Sequence, residues 1–317
     1  RMRAALAKTL RRETTPYEAP NILVVAATNH VEALDPALVR SGRFGTKISF
    51  TLPDKAARAE ILAYYLDRKR NEDVDVDALA SVTVGYSPAD LEALLDEALI
   101  WAYRDGRQAM TWADLQQARL SKSTGTATPT EYTEEERHRV ATHEAGHAVV
   151  SHIMAPENRI DVVSILRRGH ALGVTVHTPR VDTFILRPQE VGASLAISLA
   201  GGAAEEIAYG DHASTVGGDY ETATALATSA IARWGMGETL YRVPDSRLEG
   251  DRDTRRQVEE LLEEAHSQAE AVLTEHWWLV ELLRDALIEH GELVGDDVYR
   301  VLAGLNVKTR EIGKKTA

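Results

Sequence analysis

Two imidazoles and a carboxylate stand at a spacing that suits metal chemistry in His143-Glu144-Ala145-Gly146-His147. Positions four apart lie on the same face of a helix, so both imidazoles can bind one ion. A catalytic zinc ion takes three protein ligands and keeps one position open, and a glutamate beside the ligands can take a proton from water bound there. We predict a zinc site with His143 and His147 as ligands and Glu144 as the general base.

The alternative is a solvated helix face that carries two histidines without a ligand. The neighbouring residues Ala145 and Gly146 and the run Ala148–Val150 are small or apolar, which indicates a buried, closely packed helix. Buried imidazoles and carboxylates need polar partners. The pattern therefore favours the metal site.

The third zinc ligand is not fixed by the residues alone, because no His or Glu follows the motif at short spacing. The downstream candidates are Glu205, Glu206, Asp211, His212 and Asp219. Asp219 could instead be the N-cap of the helix that it opens, and the two glutamates could lie on a helix surface or orient a ligand histidine. Spacing leaves the choice open.

Composition limits the classes of protein that remain. A chain of 317 residues with 44% hydrophobic and 27% charged residues has room for about two packed domains and is neither disordered nor collagen-like. The net charge of −13, all of it beyond residue 130, argues against a phosphate-driven nucleic-acid binder. The absence of cysteine excludes disulfides, Cys zinc sites and a Cys nucleophile. The sequence contains no continuous apolar run of about 18 residues, so no membrane span is predicted.

The first part of the chain reads as the end of an α/β domain followed by a small helical domain. Apolar or alternating runs predict strands at Ile22–Ala27 and Lys47–Leu52, and Asp35-Pro36 predicts a helix start. Helical periodicity begins at Asp54 and continues near 74–82, 88–104 and 112–120. The expected division is an α/β part over 1–53, a helical part over 54–120 and a Ser/Thr-rich linker over 121–135.

The second part is predicted to be mostly helical. A helix over 136–153 carries the histidines, and strands are expected at 161–166 and 173–178. Further helices are expected from Pro188 to about 208, over 219–234 and 253–274, and as a closing pair over 275–303. This gives a domain over 136–303 and a polar tail over 304–317.

At these residues the sequence resembles the FtsH family of ATP-dependent zinc metalloproteases. The similar peptidase blocks are HEAGH itself, RRGHALGVT (167–175), LAGGAAEEIAYG (199–210) and GGDYETATALATSAIARWGMG (217–237). Upstream, AATNHVEALDPALVRSGRF (26–44) resembles the second region of homology of AAA ATPases, and GYSPADLEALLDEAL (85–99) the start of their helical lid. The resemblance implies an α/β fragment of an AAA ATPase domain with a helical lid, followed by a mostly α-helical zinc peptidase domain.

The resemblance also implies roles for individual residues. Asp219 falls where the family has its third zinc ligand, which makes Glu205 and Glu206 candidates for orienting the ligands. In the ATPase part, Asn29 matches the sensor-1 residue, and Arg40 and Arg43 match the arginine fingers that reach the nucleotide of a neighbouring subunit. The residues given contain no phosphate-binding GxxxxGK[ST] loop and no apolar strand ending in Asp-Glu. We therefore expect the ATPase activity, with ATP and Mg²⁺ as its cofactors, to belong to the full-length protein.

The family further implies unfolded or damaged proteins as substrates, a homo-oligomer that is a hexamer, and no nucleic-acid partner. Full-length members are usually membrane-anchored, with these domains in the cytosol or an equivalent organelle compartment. The residues given are expected to be a soluble fragment, related to a membrane only through parts outside them.

The sequence leaves two questions open, the position of one strand and the activity of the chain. The segment Gly173–His177 is either an edge strand that pairs with the substrate backbone or an internal strand. The chain is either an active metalloendopeptidase or a silent AAA assembly subunit, whose expected signature would be a lost His143, Glu144 or His147. A purely structural zinc site is disfavoured, because such sites usually use four protein ligands.

Overall fold

The computed structural model describes residues 23–40, 43–128, 131–169, 171–180, 185–244 and 251–305. It divides the chain into two compact units, Arg1–Thr51 and Leu52–Ala317.

In the first unit, the two predicted strands are not formed. The described residues 23–27 and 47–51 belong to no helix and to no ladder, and Leu23 and Val25 are 88% and 80% exposed; Ile22 lies outside the described residues. A buried parallel strand forms only where neighbouring strands take up its backbone groups. The helix predicted after Asp35 is reduced to a turn, in which the Leu38 amide donates to the Asp35 carbonyl at 2.8 Å. A 3-10 turn spans Val31–Ala33.

The second unit opens with four helices, as the periodicity predicted. They are α1 (Lys55–Leu66), α2 (Val76–Ser81), α3 (Pro88–Arg104) and α4 (Trp112–Thr124). Ser87 caps α3 in a capping box with Asp90, as its residue type predicted. These helices have their own core, which includes Leu62, Leu91 and Leu95. Helix α4 runs past residue 120, so the first residues of the predicted linker are helical.

The remaining elements enclose a second core. They are α5 (Glu134–Met154), β1 (Asn158–Ser164), β2 (Val174–Pro179), α6 (Pro188–Tyr209), α7 (Gly217–Thr228), α8 (Arg252–Glu275), α9 (Trp277–His290), β3 (Glu292–Val294) and α10 (Asp296–Leu302). A short π-helical turn, Ser229–Arg233, continues α7. Strand β3 interrupts the predicted closing helix pair, and the other elements lie close to the predicted ranges.

The three strands form one antiparallel sheet in the order β2-β1-β3. Strand β2 therefore lies at an edge of the sheet. Of the two alternatives for Gly173–His177, the structure supports the edge strand.

Helices α5 and α6 approach each other closely because small residues line their contact. A Cβ atom on Gly146 would lie 2.7 Å from both the Ala200 carbonyl oxygen and the Ala204 Cβ. Such distances leave no room for a side chain. The glycine inside the HEAGH motif is thus required by helix packing.

Helix α6 is also long and apolar enough to cross a membrane, by length and composition alone. Its 22 residues contain a window of mean hydropathy 1.2, and 67% of that window is buried inside the protein. Core helices of globular proteins meet the same criterion. Serines and glycines interrupt its apolar residues, so the helix contains no continuous apolar run of about 18 residues.

Candidate metal centre

Helix α5 places the two histidines and the glutamate of the motif side by side. It begins with a capping box, in which the Thr133 backbone amide donates to Glu136 at 2.8 Å. His143, Glu144 and His147 are only 5%, 6% and 8% exposed. The motif therefore lies in the interior of the domain, as its apolar neighbours predicted.

Asp219, in the first turn of α7, completes a three-residue cluster with the histidines. The two Nε2 atoms of His143 and His147 lie 3.1 Å apart. Asp219 Oδ2 lies 3.1 Å from His143 Nε2 and 3.5 Å from His147 Nε2. Within the described residues, these are the three side chains whose ligand atoms all lie within 4.8 Å of one another.

The Nδ1 atom of each histidine, which faces away from the cluster, already has a hydrogen-bond partner. His143 Nδ1 donates to Glu205 Oε1 at 2.8 Å, and His147 Nδ1 donates to the Ile197 carbonyl at 2.6 Å. These bonds fix the orientation of both rings and leave each Nε2 facing the cluster, as in known zinc sites. Two imidazole nitrogens and one carboxylate oxygen suit zinc with an open position. The donor set therefore fits the metal that the sequence suggested.

The two neighbouring glutamates of α6 have different surroundings. Glu205 is fully buried and also accepts bonds from the Ala213 amide at 2.9 Å and Thr215 Oγ1 at 2.8 Å. Glu206 points elsewhere, with its oxygens 3.6 Å from His212 Nε2 and 3.3 Å from His266 Nε2. Only Glu205 contacts a histidine of the cluster.

Asp211 and His212, the remaining candidates for the third ligand, are not in the cluster either. Asp211 Oδ1 accepts a hydrogen bond from Arg139 Nη1 at 2.9 Å, and His212 packs against the Tyr220 ring. Among the downstream candidates, Asp219 alone approaches the Nε2 atoms of both histidines, whereas Glu205 contacts only Nδ1 of His143.

The charges of the cluster stabilise one another. Burial alone would lower the pKa of His143, but hydrogen bonds to Asp219 and Glu205 outweigh it and raise this pKa to about 10. Burial alone would raise the pKa of Asp219, but hydrogen bonds from His143 and His147 hold it well below its usual range. Asp219 is therefore a carboxylate at neutral pH, which is the state in which such a side chain can bind a metal.

Glu144 lies beside the cluster with a partner that the sequence did not reveal. Thr175 Oγ1, on β2, donates to Glu144 Oε2 at 2.8 Å. Burial raises the pKa of Glu144, which brings a carboxylate closer to the range useful for proton transfer near neutral pH. A threonine in an alternating strand gives no signal of such a role, so only the packing of β2 against α5 identifies it.

A cleft of about 720 Å³ opens over the cluster. The edge strand β2 forms one wall with residues including Val174, Thr175 and His177, while Ile197 and Ser214 lie on other sides. The cleft is mostly apolar apart from the cluster itself. Its size and position allow an extended peptide to lie along β2.

The residues matched to nucleotide functions lie in the first unit. Asn29 and Arg40 are exposed, and Arg43 Nη1 donates to the Ala37 carbonyl at 2.8 Å. Their roles stay predictions.

Family models match three successive parts of the chain. Residues 130–301 match peptidase family M41, residues 73–117 match the AAA+ lid domain, and residues 1–52 match the ATPase family associated with various cellular activities (AAA). The order is the one that the sequence motifs indicated: an AAA part with its lid, then a mostly helical peptidase.

Curated relatives extend the similarity over most of the chain. ATP-dependent zinc metalloprotease FtsH 2 of Salinibacter ruber is 34% identical, over 93% of this chain and 46% of the relative. FtsH of Thermus thermophilus is 35% identical over 92% and 49%, and FtsH 3 of Sphaerobacter thermophilus is 38% identical over 84% and 56%. The chain thus spans about half the length of the curated relatives it matches.

Proposed function

The chain belongs to the FtsH family of zinc metalloproteases, peptidase family M41, and from this premise we propose that it is the peptidase-bearing part of an ATP-dependent endopeptidase that degrades unfolded or damaged proteins. The observation that carries the proposal is the cluster of His143, His147 and Asp219 with Glu144 beside it. A silent subunit has no need of an intact ligand set. We place the AAA core at 1–53, the lid at 54–120 with its last helix continuing to Thr124, a linker within 121–135 and the peptidase domain at 136–303.

His143, His147 and Asp219 would hold the zinc ion. A zinc ion supplies Lewis-acid chemistry at such a site, because it polarises a carbonyl and makes a water molecule more acidic. Glu144 accepts the proton of the attacking water at a carboxylate oxygen and delivers it to the leaving amine. Thr175 holds that carboxylate in place, and Glu205 keeps the His143 ring in its orientation.

The edge of β2 would bind the substrate. An extended peptide can add to an exposed edge through main-chain hydrogen bonds, which supply affinity with little dependence on side chains. This suits an enzyme that acts on many unfolded chains. The cleft along β2 leads directly to Glu144.

Assembly and ATP use would depend on the first unit together with the rest of the full-length protein. We propose that the protein forms a homo-oligomer, a hexamer, in which Arg40 and Arg43 reach the nucleotide of a neighbouring subunit and Asn29 polarises the attacking water. Attachment to a membrane would come from parts of the full-length protein outside these residues.

The test is cleavage of casein, a loosely folded protein, by the purified zinc-loaded chain with and without a zinc chelator. Glu144→Gln should abolish cleavage, by at least a hundredfold in kcat, while zinc content stays at the wild-type level, because it removes the proton acceptor and no ligand. Glu206→Gln is the matched control. It changes the carboxylate that follows Glu205 in the sequence and lies outside the cluster, so it should leave cleavage unchanged.

Chelator-sensitive cleavage that Glu144→Gln abolishes would support the assignment. Cleavage retained in Glu144→Gln would contradict the role of Glu144. No cleavage by the zinc-loaded wild type, either alone or as part of the full-length hexamer with ATP, would favour the silent assembly subunit.

A further inference from the structure

A buried ion pair joins the last lid helix, α4, to the sheet of the peptidase domain. Arg119 Nη2 on α4 contacts Asp161 Oδ2 on β1. The two residues are only 7% and 3% exposed. The lid and the peptidase domain are thus connected by an ion pair that is largely buried.

Asp161 also holds the edge strand. The pairing Ile160–His177 is followed by Val162–Val176, so Asp161 is the extra residue of a β-bulge in β1. Thr178 Oγ1, on β2, donates at 2.5 Å to the same Asp161 oxygen that Arg119 contacts. One carboxylate oxygen therefore links the lid helix with the strand that lines the catalytic cleft.

Arg119 is the main compensation for the buried carboxylate. Arg159 Nε lies 3.4 Å from Asp161 Oδ1, but that oxygen accepts no hydrogen bond from the described residues. A buried carboxylate that loses its partner is strongly unfavourable. The ion pair therefore holds α4 and β2 together.

Near the ion pair, apolar packing contributes little to the connection between the lid and β2. A cavity of about 320 Å³ lies between the two parts, next to the ion pair, which forms part of its lining. Residues from the lid and from β2 line the rest, including Val82, Tyr86, Gln116, Val176 and Pro179. Because atoms across a cavity make no contact, the polar link bears the connection here.

We propose that Arg119 is a positioning residue, through which the lid holds the edge strand β2 in place for substrate binding. The proposal rests on the proposed peptidase function. Thr175, three residues before Thr178 on the same strand, contacts Glu144, so a displacement of β2 reaches the catalytic carboxylate. Movement of the lid helix would then change peptide binding without any change in the zinc ligands.

The test separates positioning from stability. Arg119→Met leaves the Asp161 carboxylate buried without its main partner and should destabilise the protein. Adding Asp161→Asn removes that charge, so the double variant should regain thermal stability. Because the lid is then no longer linked to the strand, we expect the KM of the double variant for an unfolded peptide to stay about tenfold above the wild-type value. A wild-type KM in the stable double variant would overturn the proposal.

Arg107→Met is the matched control. Arg107 also pairs with a buried aspartate, Asp114, at 2.6 and 2.7 Å, although Arg107 itself is partly exposed, and both residues lie within the lid part. Its loss should lower the stability of the lid and leave KM unchanged. An equal rise in KM in this variant would show that any damage to the lid has the same effect, which would overturn a specific role for Arg119.

A second measurement does not depend on activity. The amides of residues 174–178 should exchange hydrogen at least tenfold faster in the double variant than in the wild type, because β2 has lost one of its links. Unchanged exchange would overturn the proposal even in a protein that does not cleave. Inactivity of the wild type with zinc would instead concern the proposed function alone.

Discussion

Gly201 lies where the metal centre has no room for a side chain. A Cβ atom there would lie 2.5 Å from His143 Nε2 and 2.6 Å from His147 Nε2. The rings cannot turn away freely, because their Nδ1 atoms are bonded to Glu205 and to the Ile197 carbonyl. Gly201 on α6 thus leaves the space that both imidazoles need in order to face one ion.

Gly201→Ala should therefore impair metal binding. We expect zinc affinity to fall at least tenfold and the free energy of unfolding to fall by about 1–3 kcal/mol, as for other overpacked interiors. Zinc titration by calorimetry and thermal unfolding measure the two effects. Gly192→Ala, on the same helix with no atom within 4 Å of the added Cβ, should keep wild-type affinity. Equal zinc affinity in both variants would contradict this account.

The role of a residue could be predicted from the sequence when the residues that it acts with lie close to it along the chain. His143, Glu144 and His147 share one helix, so periodicity alone brings them together. Asp219 is 76 residues from His143, and only the resemblance selected it over the neighbouring carboxylates. Thr175 has no distinguishing pattern at all, because its contact with Glu144 arises from the packing of a strand on a helix.

At the scale of elements, helices with strong end signals were predicted well and strands less well. Ser87, Pro88 and Asp90 define the start of α3 within a few residues of sequence. A strand depends on partners elsewhere in the chain, so the apolar run at 22–27 predicted a ladder that the described residues do not form. Strand β3 is only three residues long and carries no pattern that could be recognised.

The N-terminal cap of α3 makes the stability of the lid depend on pH in the acid range. Hydrogen bonds from Ser87 and Lys122 lower the pKa of Asp90 to about 2, below its unfolded value near 3.8. The stabilisation by Asp90 is therefore present above about pH 4 and is lost as the pH falls through 2. We expect wild type to be more stable than Asp90→Asn at pH 7 and the difference to disappear near pH 2, measured by denaturant unfolding.

A control on the same helix separates this effect from general acid unfolding. Glu97→Gln changes a carboxylate away from the helix start, so its difference from wild type should not follow the same pH course. A constant difference between wild type and Asp90→Asn from pH 7 to pH 2 would show that the ionised carboxylate does not stabilise the cap.

At the scale of the whole molecule, the second unit contains two separate hydrophobic cores. One includes Leu62 and Leu91 in the lid helices, and the other includes Val149, Leu195 and Leu283 in the peptidase domain. The proposed zinc ligands belong to helices of the second core only. Zinc should therefore stabilise one core and not the other.

Calorimetric unfolding with and without a chelator tests this expectation. At a free zinc concentration a thousandfold above the dissociation constant, binding should stabilise the peptidase core by about 4 kcal/mol. The transition of the lid core should not move. A single transition that shifts as a whole would show that the two cores unfold together.

The open edge of β2 has a consequence for the behaviour of the protein in concentrated solution. Most proteins shield exposed strand edges, because an unshielded edge pairs with the edge of another molecule and leads to aggregation. A strand that takes up peptides, as proposed for β2, cannot be shielded permanently, and the net charge of −13 supplies a general repulsion against such pairing. Colloidal solubility and peptide affinity are thus opposing demands on the same six residues.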